Sequence, residues 1–342
     1  MVTVPAAMTW AWSNIHWANL LVSQSASYKF DGASDSDVEP VHQPVLLAES
    51  LQFLAVAAGG TYVDGTLGEG GHTLEILEAS GPNGVVLGID RDPRSVAVAR
   101  RRLDSYGGRA VLVHGNYADM QRIAGDNGIS AVDGILLDLG FSSRQVNTAG
   151  YGFSFQTDEP LDMRYDREGA TAADIVNSSN ESDLADVIFQ YGEERRSRAI
   201  ARAIVRNRPI FTTGQLAEVV ARTVGGRRGG RHPATRTFQA LRIAVNRELE
   251  QVEAGLAAAG DLLKPGGRLA VISYHSLEDR LVKEWMDRET ATCVCPPDFP
   301  VCVCEQEPRF RVVRRRIVRP SEQEITENPR SRSARLRVVE RI

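Results

Sequence analysis

From His42 onward, apolar residues recur in two alternating rhythms. Residues 44–53 carry them at helical spacing, and 61–64 (TYVD) form a short apolar run that stops at a glycine-rich turn, as a buried strand does. The alternation continues with a helix over 73–78, a strand over 85–90 (VVLGID), a helix over 94–103, and strands over 110–114 and 132–139 (VDGILLDL). Continuous apolar strands alternating with helices predict a parallel sheet covered on both faces. After Ser143 the rhythm fails: up to Arg242 the chain holds Gly/Asp/Asn-rich turns and amphipathic helices such as 182–191 and 195–206, with no strand-like run. It resumes with one long helix over 238–263, a turn at 264–267 (KPGG) and a strand over 268–273. The expected architecture is α/β, a Rossmann-like sheet in residues 41–144 and 241–342, interrupted after its fourth strand by a helical insert over 145–240. No internal repeat is visible.

Composition changes this picture in two places. The chain has 342 residues, 42% hydrophobic and 25% charged, which is enough to bury a substantial core and carry an insert. Its formal charge of −4 is unevenly spread: residues 195–247 hold 13 arginines against the single acid Glu218, and 309–342 hold 11 arginines against four glutamates. Lysine occurs only at positions 29, 264 and 283, so the cation is almost always arginine, which suits bidentate phosphate contacts. A general compositional bias toward Arg and Ala accounts for the same count, and one-sign blocks are commonly solvated faces, so a polyanion partner is one of two readings. Residues 1–40 differ from the rest. Their apolar, Trp-rich opening has no basic residue before Lys29 and is too interrupted for a membrane span, and 23–40 are polar. They read as a disordered leader or as residues ahead of the native start, and cytoplasm is the expected location.

The strongest local motif is VDGTLGEGGHT, 63–73, between a strand and a helix. Glycines there let the backbone approach a ligand, and the helix start offers N–H groups to an anionic or carboxylate group. Asp90 ends the second strand, where a carboxylate can accept both ribose hydroxyls of an adenosine. The dinucleotide fingerprint GxGxxG is not met by Gly65, Gly68, Gly70 and Gly71, and Asp64 suits a ligand amino group better than a pyrophosphate. Tyr117 offers a ring for stacking near an adenine, and Asp138 ends the fourth strand at the same sheet edge. LKPGGRLAVIS (263–273) is similar to the fifth-strand entry of many methyltransferases.

HQPVLLAE, DGTLGEGGHT, GIDRDP, DGILLDLGFSS, GFSF, PLDMR, YGEER, HPATRTFQALRIAVNREL, ISYHSLEDR and ENPRSRSARLRV occur in order from His42 to Arg341, and together they resemble the MraW (RsmH) family. The resemblance implies a class I S-adenosylmethionine methyltransferase with a helical insert, acting on the N4 amine of a cytidine in the decoding region of small-subunit ribosomal RNA. It implies cofactor contacts at Gly70, Gly71, His72, Asp90, Tyr117, Asp138 and Gln145, and the small ribosomal subunit or its RNA as partner. Either a monomer or a homodimer is compatible.

An exocyclic cytosine amine is a weak nucleophile, so the enzyme must aim it and accept a hydrogen bond from it as it pyramidalises. Asp138, Ser142, Ser143 and His275 are the candidate catalytic residues. The D/N/S-P-P-Y/F clamp of many amino-methyltransferases is replaced here by DLGFSS (138–143). Phe141, Tyr151, Phe153 and Phe155 are candidates for base stacking or for packing inside the insert, and Asp162 and Arg164 for an ion pair. Arg227, Arg228, Arg231 and Arg236, with the C-terminal arginines, are expected to meet RNA phosphates, so activity should fall steeply with added salt. Cys293, Cys295, Cys302 and Cys304, the only cysteines, form CxC-x6-CxC; the spacing admits a tetrahedral zinc site or reduced thiols. A DNA or small-molecule methyltransferase and a non-catalytic Rossmann-like RNA-binding protein are the alternatives; affinity for the cofactor separates the last.

Overall fold

Five parallel strands, β1 (Thr61–Asp64), β2 (Val85–Asp90), β3 (Ala110–His114), β4 (Val132–Asp138) and β5 (Leu263–Ser273), lie in the order β3-β2-β1-β4-β5. The structure is a computed structural model that describes residues 44–140, 150–225, 232–293, 295, 301–302, 304 and 306–342; the leader expected over 1–40 lies outside them. Between the strands run α1 (Leu47–Leu54), α2 (Gly71–Ala79), α3 (Pro93–Arg102) and α4 (Met120–Asp126). Val63, Leu87, Ile135, Leu137 and Val271 are fully buried in one core, and Tyr62, Val86, Leu136 and Ile272 in another, the two-sided covering that unbroken apolar strands require.

The sheet also has two strands that periodicity did not disclose, β6 (Phe310–Val312) and β7 (Arg335–Arg341), giving the order β3-β2-β1-β4-β5-β7-β6 with β7 antiparallel to both neighbours. In RLRVVER the arginines obscure the strand, yet Leu336, Val338 and Val339 are buried. Those arginines are largely committed to the fold. Arg335 and Arg337 both reach Asp279 at 2.8 Å, Arg309 reaches Asp261 at 2.6 Å, and Arg311 pairs with Glu340. The expectation that the C-terminal arginines as a group face phosphates is corrected accordingly: Arg315, Arg316 and Arg319 stay exposed without an ion pair among the described residues.

Between β4 and β5 the described chain forms α5 (Ala172–Ser178), α6 (Glu181–Gly192), α7 (Ser197–Arg206), α8 (Thr213–Val224), α9 (Thr235–Asn246) and α10 (Glu248–Leu262). Thr171 with Asp174, and Thr212 with Gln215, form capping boxes that start α5 and α8. Leu184, Ile188, Ile200, Ile204, Leu216 and Phe238 share a core separate from those of the sheet.

The single helix expected over 238–263 is two helices, broken at Arg247 in left-handed geometry (φ 52, ψ 40). α9 buries Phe238 and Leu241 in the insert core, whereas α10 buries Val252 and Leu256 against the sheet, so one straight axis could not serve both. Asn246 secures the break: its buried amide donates to the Met163 carbonyl at 2.7 Å and the Arg242 carbonyl at 2.9 Å, and its Oδ1 accepts the Tyr165 N–H. Beyond β5, α11 (Ser276–Glu289) packs against the core through Val282, Trp285 and Met286, and α12 (Glu322–Glu327) precedes β7. No helix among the described residues is long and apolar enough to cross a membrane.

Candidate active site

β1 ends on Asp64, which is buried and accepts the Thr66 N–H at 3.2 Å and the Thr73 hydroxyl at 2.7 Å. It therefore ties the glycine loop to α2 and does not line the cleft, contrary to a role in meeting a ligand amino group. Burial pushes its carboxyl above the usual range, and the nearby His72 ring pulls it back. Gly68 (φ +51) and Gly70 (φ +79) hold conformations L side chains rarely adopt, and a Cβ on Gly71 would fall 2.6 Å from Pro44 Cγ. Gly70 caps α2 and faces Leu103, so it shapes the loop without reaching the cleft wall.

The loop borders a cleft of about 790 Å³. It lies at the carboxyl ends of β1, β2 and β4, on either side of the point where the strand order reverses, as expected for ligand sites in open α/β sheets. Gly71, His72, Asp90, Tyr117, Asp138 and His275 line it. Asp90 accepts the Gly68 N–H through Oδ2 at 2.7 Å and the Asp92 N–H through Oδ1 at 2.8 Å; each oxygen has a second lone pair, the pair of acceptors a ribose diol needs. Burial, with the Asp92 and Asp64 charges, pushes its carboxyl up to about 6. The Tyr117 ring seats against Gly255, where an added Cβ would lie 2.4 Å from it, and burial pushes its phenol well up.

Asp138 is held from three sides. Its backbone N–H donates to Thr66 Oγ1 at 2.7 Å, its Oδ1 accepts the Tyr274 hydroxyl at 2.7 Å, and its Oδ2 lies 3.9 Å from His72 Nδ1. Burial and the Asp138 charge raise the Tyr274 phenol far above its ordinary value, so it stays a donor. His72 Nε2 donates to the Val45 carbonyl at 3.1 Å, which turns Nδ1 toward Asp138.

His275 lines the cleft but is the N-cap of α11: Nδ1 accepts the Glu278 N–H at 3.3 Å and Nε2 lies 3.0 Å from Glu278 Oε1. Nδ1 is thus taken up by the Glu278 N–H, and the buried Nε2, with no hydrogen bond among the described residues, faces the Glu278 carboxylate. Glu278 also accepts the Tyr274 N–H at 2.8 Å; burial would raise its carboxyl, but the His275 ring and Arg242 outweigh this and hold it low.

The opposite wall comes from the β4–β5 connection, through Gln156, Thr157, Tyr165, Gln239 and Arg242. Arg242 grips Glu248 with two hydrogen bonds of 2.8 Å, and Tyr165 donates to the same carboxylate at 2.9 Å. Losing one partner of such a nearly buried pair costs about 3–5 kcal/mol. Ligand-type atoms of Glu248, His275 and Glu278 come within 4.8 Å of one another, but the Arg242 guanidinium already neutralises Glu248. Sequence reasoning missed Tyr165, Gln239, Arg242, Tyr274 as an Asp138 partner, and Glu278. All sit inside or beside the quoted motifs, and only their convergence across the fold marks them.

Ser142, Ser143, Gln145, Phe141, Arg227, Arg228 and Arg231 lie outside the described residues. Phe153 and Phe155 pack against the insert core, and Tyr151 bridges to the start of α3: Tyr151 is buried and donates to Asp92 at 2.9 Å, Phe153 stacks on Tyr151, and Phe155 stacks on His232 at 4.5 Å. Asp162 and Arg164 form a two-pronged ion pair at 2.8 and 3.0 Å. Arg236 donates to the Glu193 carbonyl at 3.1 Å and sits 3.8 Å from Glu194. The four cysteines come together away from the cleft.

Strand order, the single antiparallel strand between β5 and β6, and an acid-tipped cleft beneath a glycine loop define a class I methyltransferase, whose methyl donor is S-adenosylmethionine. The model of the MraW methylase family matches residues 39–342, and the chain belongs to that family. It is similar to proteins named ribosomal RNA small subunit methyltransferase H: 56% identical to that of Thermomicrobium roseum over 91% of this chain and 96% of the relative, and 53% identical to one from Dehalococcoides mccartyi over 89% and 88%. For the relative from Syntrophotalea carbinolica the figures are 51% identity, 88% and 98%.

Proposed function

We propose that the chain methylates the exocyclic N4 amine of a cytidine in the decoding region of small-subunit ribosomal RNA, using S-adenosylmethionine. The observation that carries this reading is the convergence of Asp90, Tyr117 and Asp138 on one cleft whose far wall is built by the β4–β5 connection. The residues fit the cofactor: Asp90 keeps acceptor sites for a ribose diol, Tyr117 supplies a ring against Gly255, and Gly71 removes a side chain where the loop passes Pro44. The relatives' names favour small-subunit ribosomal RNA as substrate.

When bound, the cofactor supplies an electrophilic methyl carried on a sulfonium. Asp138, fixed by Tyr274 and Thr66, accepts a hydrogen bond from the incoming amine and directs its lone pair. The nitrogen–carbon bond forms as the carbon–sulfur bond breaks, and the amine proton leaves after transfer, so no dedicated base is needed. Gln156, Thr157 and Gln239 offer amide and hydroxyl groups to the polar edge of an unstacked base, and Arg102 and Arg330, also on the cleft wall, face its phosphates. The segment over 145–240 is the RNA-recognition part, and the reaction belongs in the cytoplasm.

The test is methyl transfer to small subunits lacking the modification, followed by mass spectrometry of the nucleosides. N4-methylcytidine is expected; a methyl group on any other nucleoside overturns the substrate assignment, and no heat on titration with S-adenosylmethionine overturns the cofactor site.

A further inference from the structure

The segment after α11 leaves the core and returns to it. It departs at Glu289 and rejoins at Arg309, where the Arg309 N–H donates to the Glu289 carbonyl at 2.9 Å and Phe310 packs on Trp285 at 5.3 Å between ring centres. Between these anchors no described residue belongs to a hydrophobic core, and Val301 is 69% exposed. An excursion whose described residues join no apolar core needs another source of order.

Its four cysteines supply one. The sulfurs of Cys302 and Cys304 are 3.5 Å apart, those of Cys293 and Cys304 3.8 Å, and those of Cys295 and Cys302 4.0 Å; all four lie within 4.8 Å of one another, none in a disulfide. Zinc–thiolate bonds of about 2.3 Å in a tetrahedron place sulfurs about 3.8 Å apart, so these separations are those of a closed four-sulfur site. The Cys295 N–H points at Cys293 Sγ at 3.4 Å, a contact that sets the first CxC turn. Two CxC pairs brought face to face give four ligands and leave no open position, which makes the site structural.

We propose that Cys293, Cys295, Cys302 and Cys304 bind one zinc ion that cross-links the 289–309 excursion and holds it on the end of α11. A zinc(II) ion replaces four thiol protons, which pass to solvent; no electron moves. The site lies outside the methyl-transfer cleft and goes beyond the reaction proposed above.

The full-length protein, purified without added chelator, should carry about one zinc per chain by elemental analysis. The same preparation loaded with cobalt(II) should show the visible absorption and sulfur-to-metal charge transfer of tetrahedral thiolate coordination. The double variant Cys295→Ser, Cys302→Ser should lose at least about tenfold in bound zinc while still binding S-adenosylmethionine in calorimetry, which shows that it has folded. Less than about a tenth of an equivalent of zinc in the wild type, two intramolecular disulfides in freshly purified protein, iron in place of zinc, or full retention of zinc by the double variant each overturn the proposal.

Discussion

Asp90 and Asp138 end β2 and β4, the strands flanking β1, and both line one cleft. They are held by different means. Asp90 is aimed by the main chain, through the N–H groups of Gly68 and Asp92, 22 and 2 residues away. Asp138 is aimed by a side chain, the hydroxyl of Tyr274, 136 residues away at the end of β5. Backbone donors persist whatever side chains surround them, so Asp90 is a fixed acceptor suited to a constant ligand. A hydroxyl at a strand tip can be aligned with the reacting atoms and removed by one substitution, which suits the acid beside the chemistry. The difference sets a carboxylate suited to binding against one suited to positioning on the two sides of a single strand, β1.

The largest effect expected from breaking this contrast is at Asp138. Asp138→Ala removes the acceptor for the incoming amine, and the rate of methyl transfer to small subunits should fall about 10³-fold, within the range for lost proton-accepting and orienting groups, while calorimetric affinity for S-adenosylmethionine changes little. A wild-type rate would remove Asp138 from the site. Asp90→Ala should do the reverse: loss of two hydrogen bonds to a charged acceptor weakens cofactor affinity about 10²-fold. If Asp90→Ala instead lowers kcat with cofactor binding intact, the division of labour between the acids is wrong.

How far each acid was legible follows from where its partners lie. A carboxylate after an apolar run and before a turn is visible locally, and so are the partners of Asp90, which sit in the neighbouring motifs. The link from Asp138 to Tyr274 was not, because a span of 136 residues with the insert inside it leaves no periodicity to follow. The same blindness joined α9 and α10 into one helix: both are apolar at helical spacing, and only the existence of two separate cores forces the break at Arg247. Arginine-rich β7 failed for another reason. Its charge reads as a basic tail until Asp279, on α11, is seen to neutralise Arg335 and Arg337. Local chemistry was readable; the purpose of a charge was not, since it depends on an opposite charge brought near by folding.

Tyr274→Phe sharpens the comparison with a smaller change. The ring keeps its place beside Gly140, where an added Cβ would lie 3.0 Å from it, and only the hydrogen bond to Asp138 is lost. A neutral donor on a carboxylate contributes about 1.5–3 kcal/mol, so kcat should fall at least about tenfold. The KM for the cofactor should hold, because the Asp90 side of the cleft is untouched. A loss confined to KM would place Tyr274 in cofactor binding and dissolve the distinction drawn between the two acids.

The smallest effect is a pH dependence that belongs to Asp90. Its carboxyl is pushed up to about 6 by burial and by the Asp92 and Asp64 charges. Ribose hydroxyls donate to the ionised form, so as pH falls through about 6 the free protein takes up a proton that the ligand must displace. Affinity for S-adenosylmethionine should be level above pH 7 and fall about tenfold by pH 5, one unit below the midpoint. The sign is fixed by the upward shift: an ordinary aspartate near 3.8 would leave affinity flat over that interval. In Asp90→Asn the dependence should vanish while the weaker binding remains. Calorimetry at pH 5, 6 and 7 on both proteins decides the matter, and an undiminished slope in the variant would assign the titration to another group on the cleft wall.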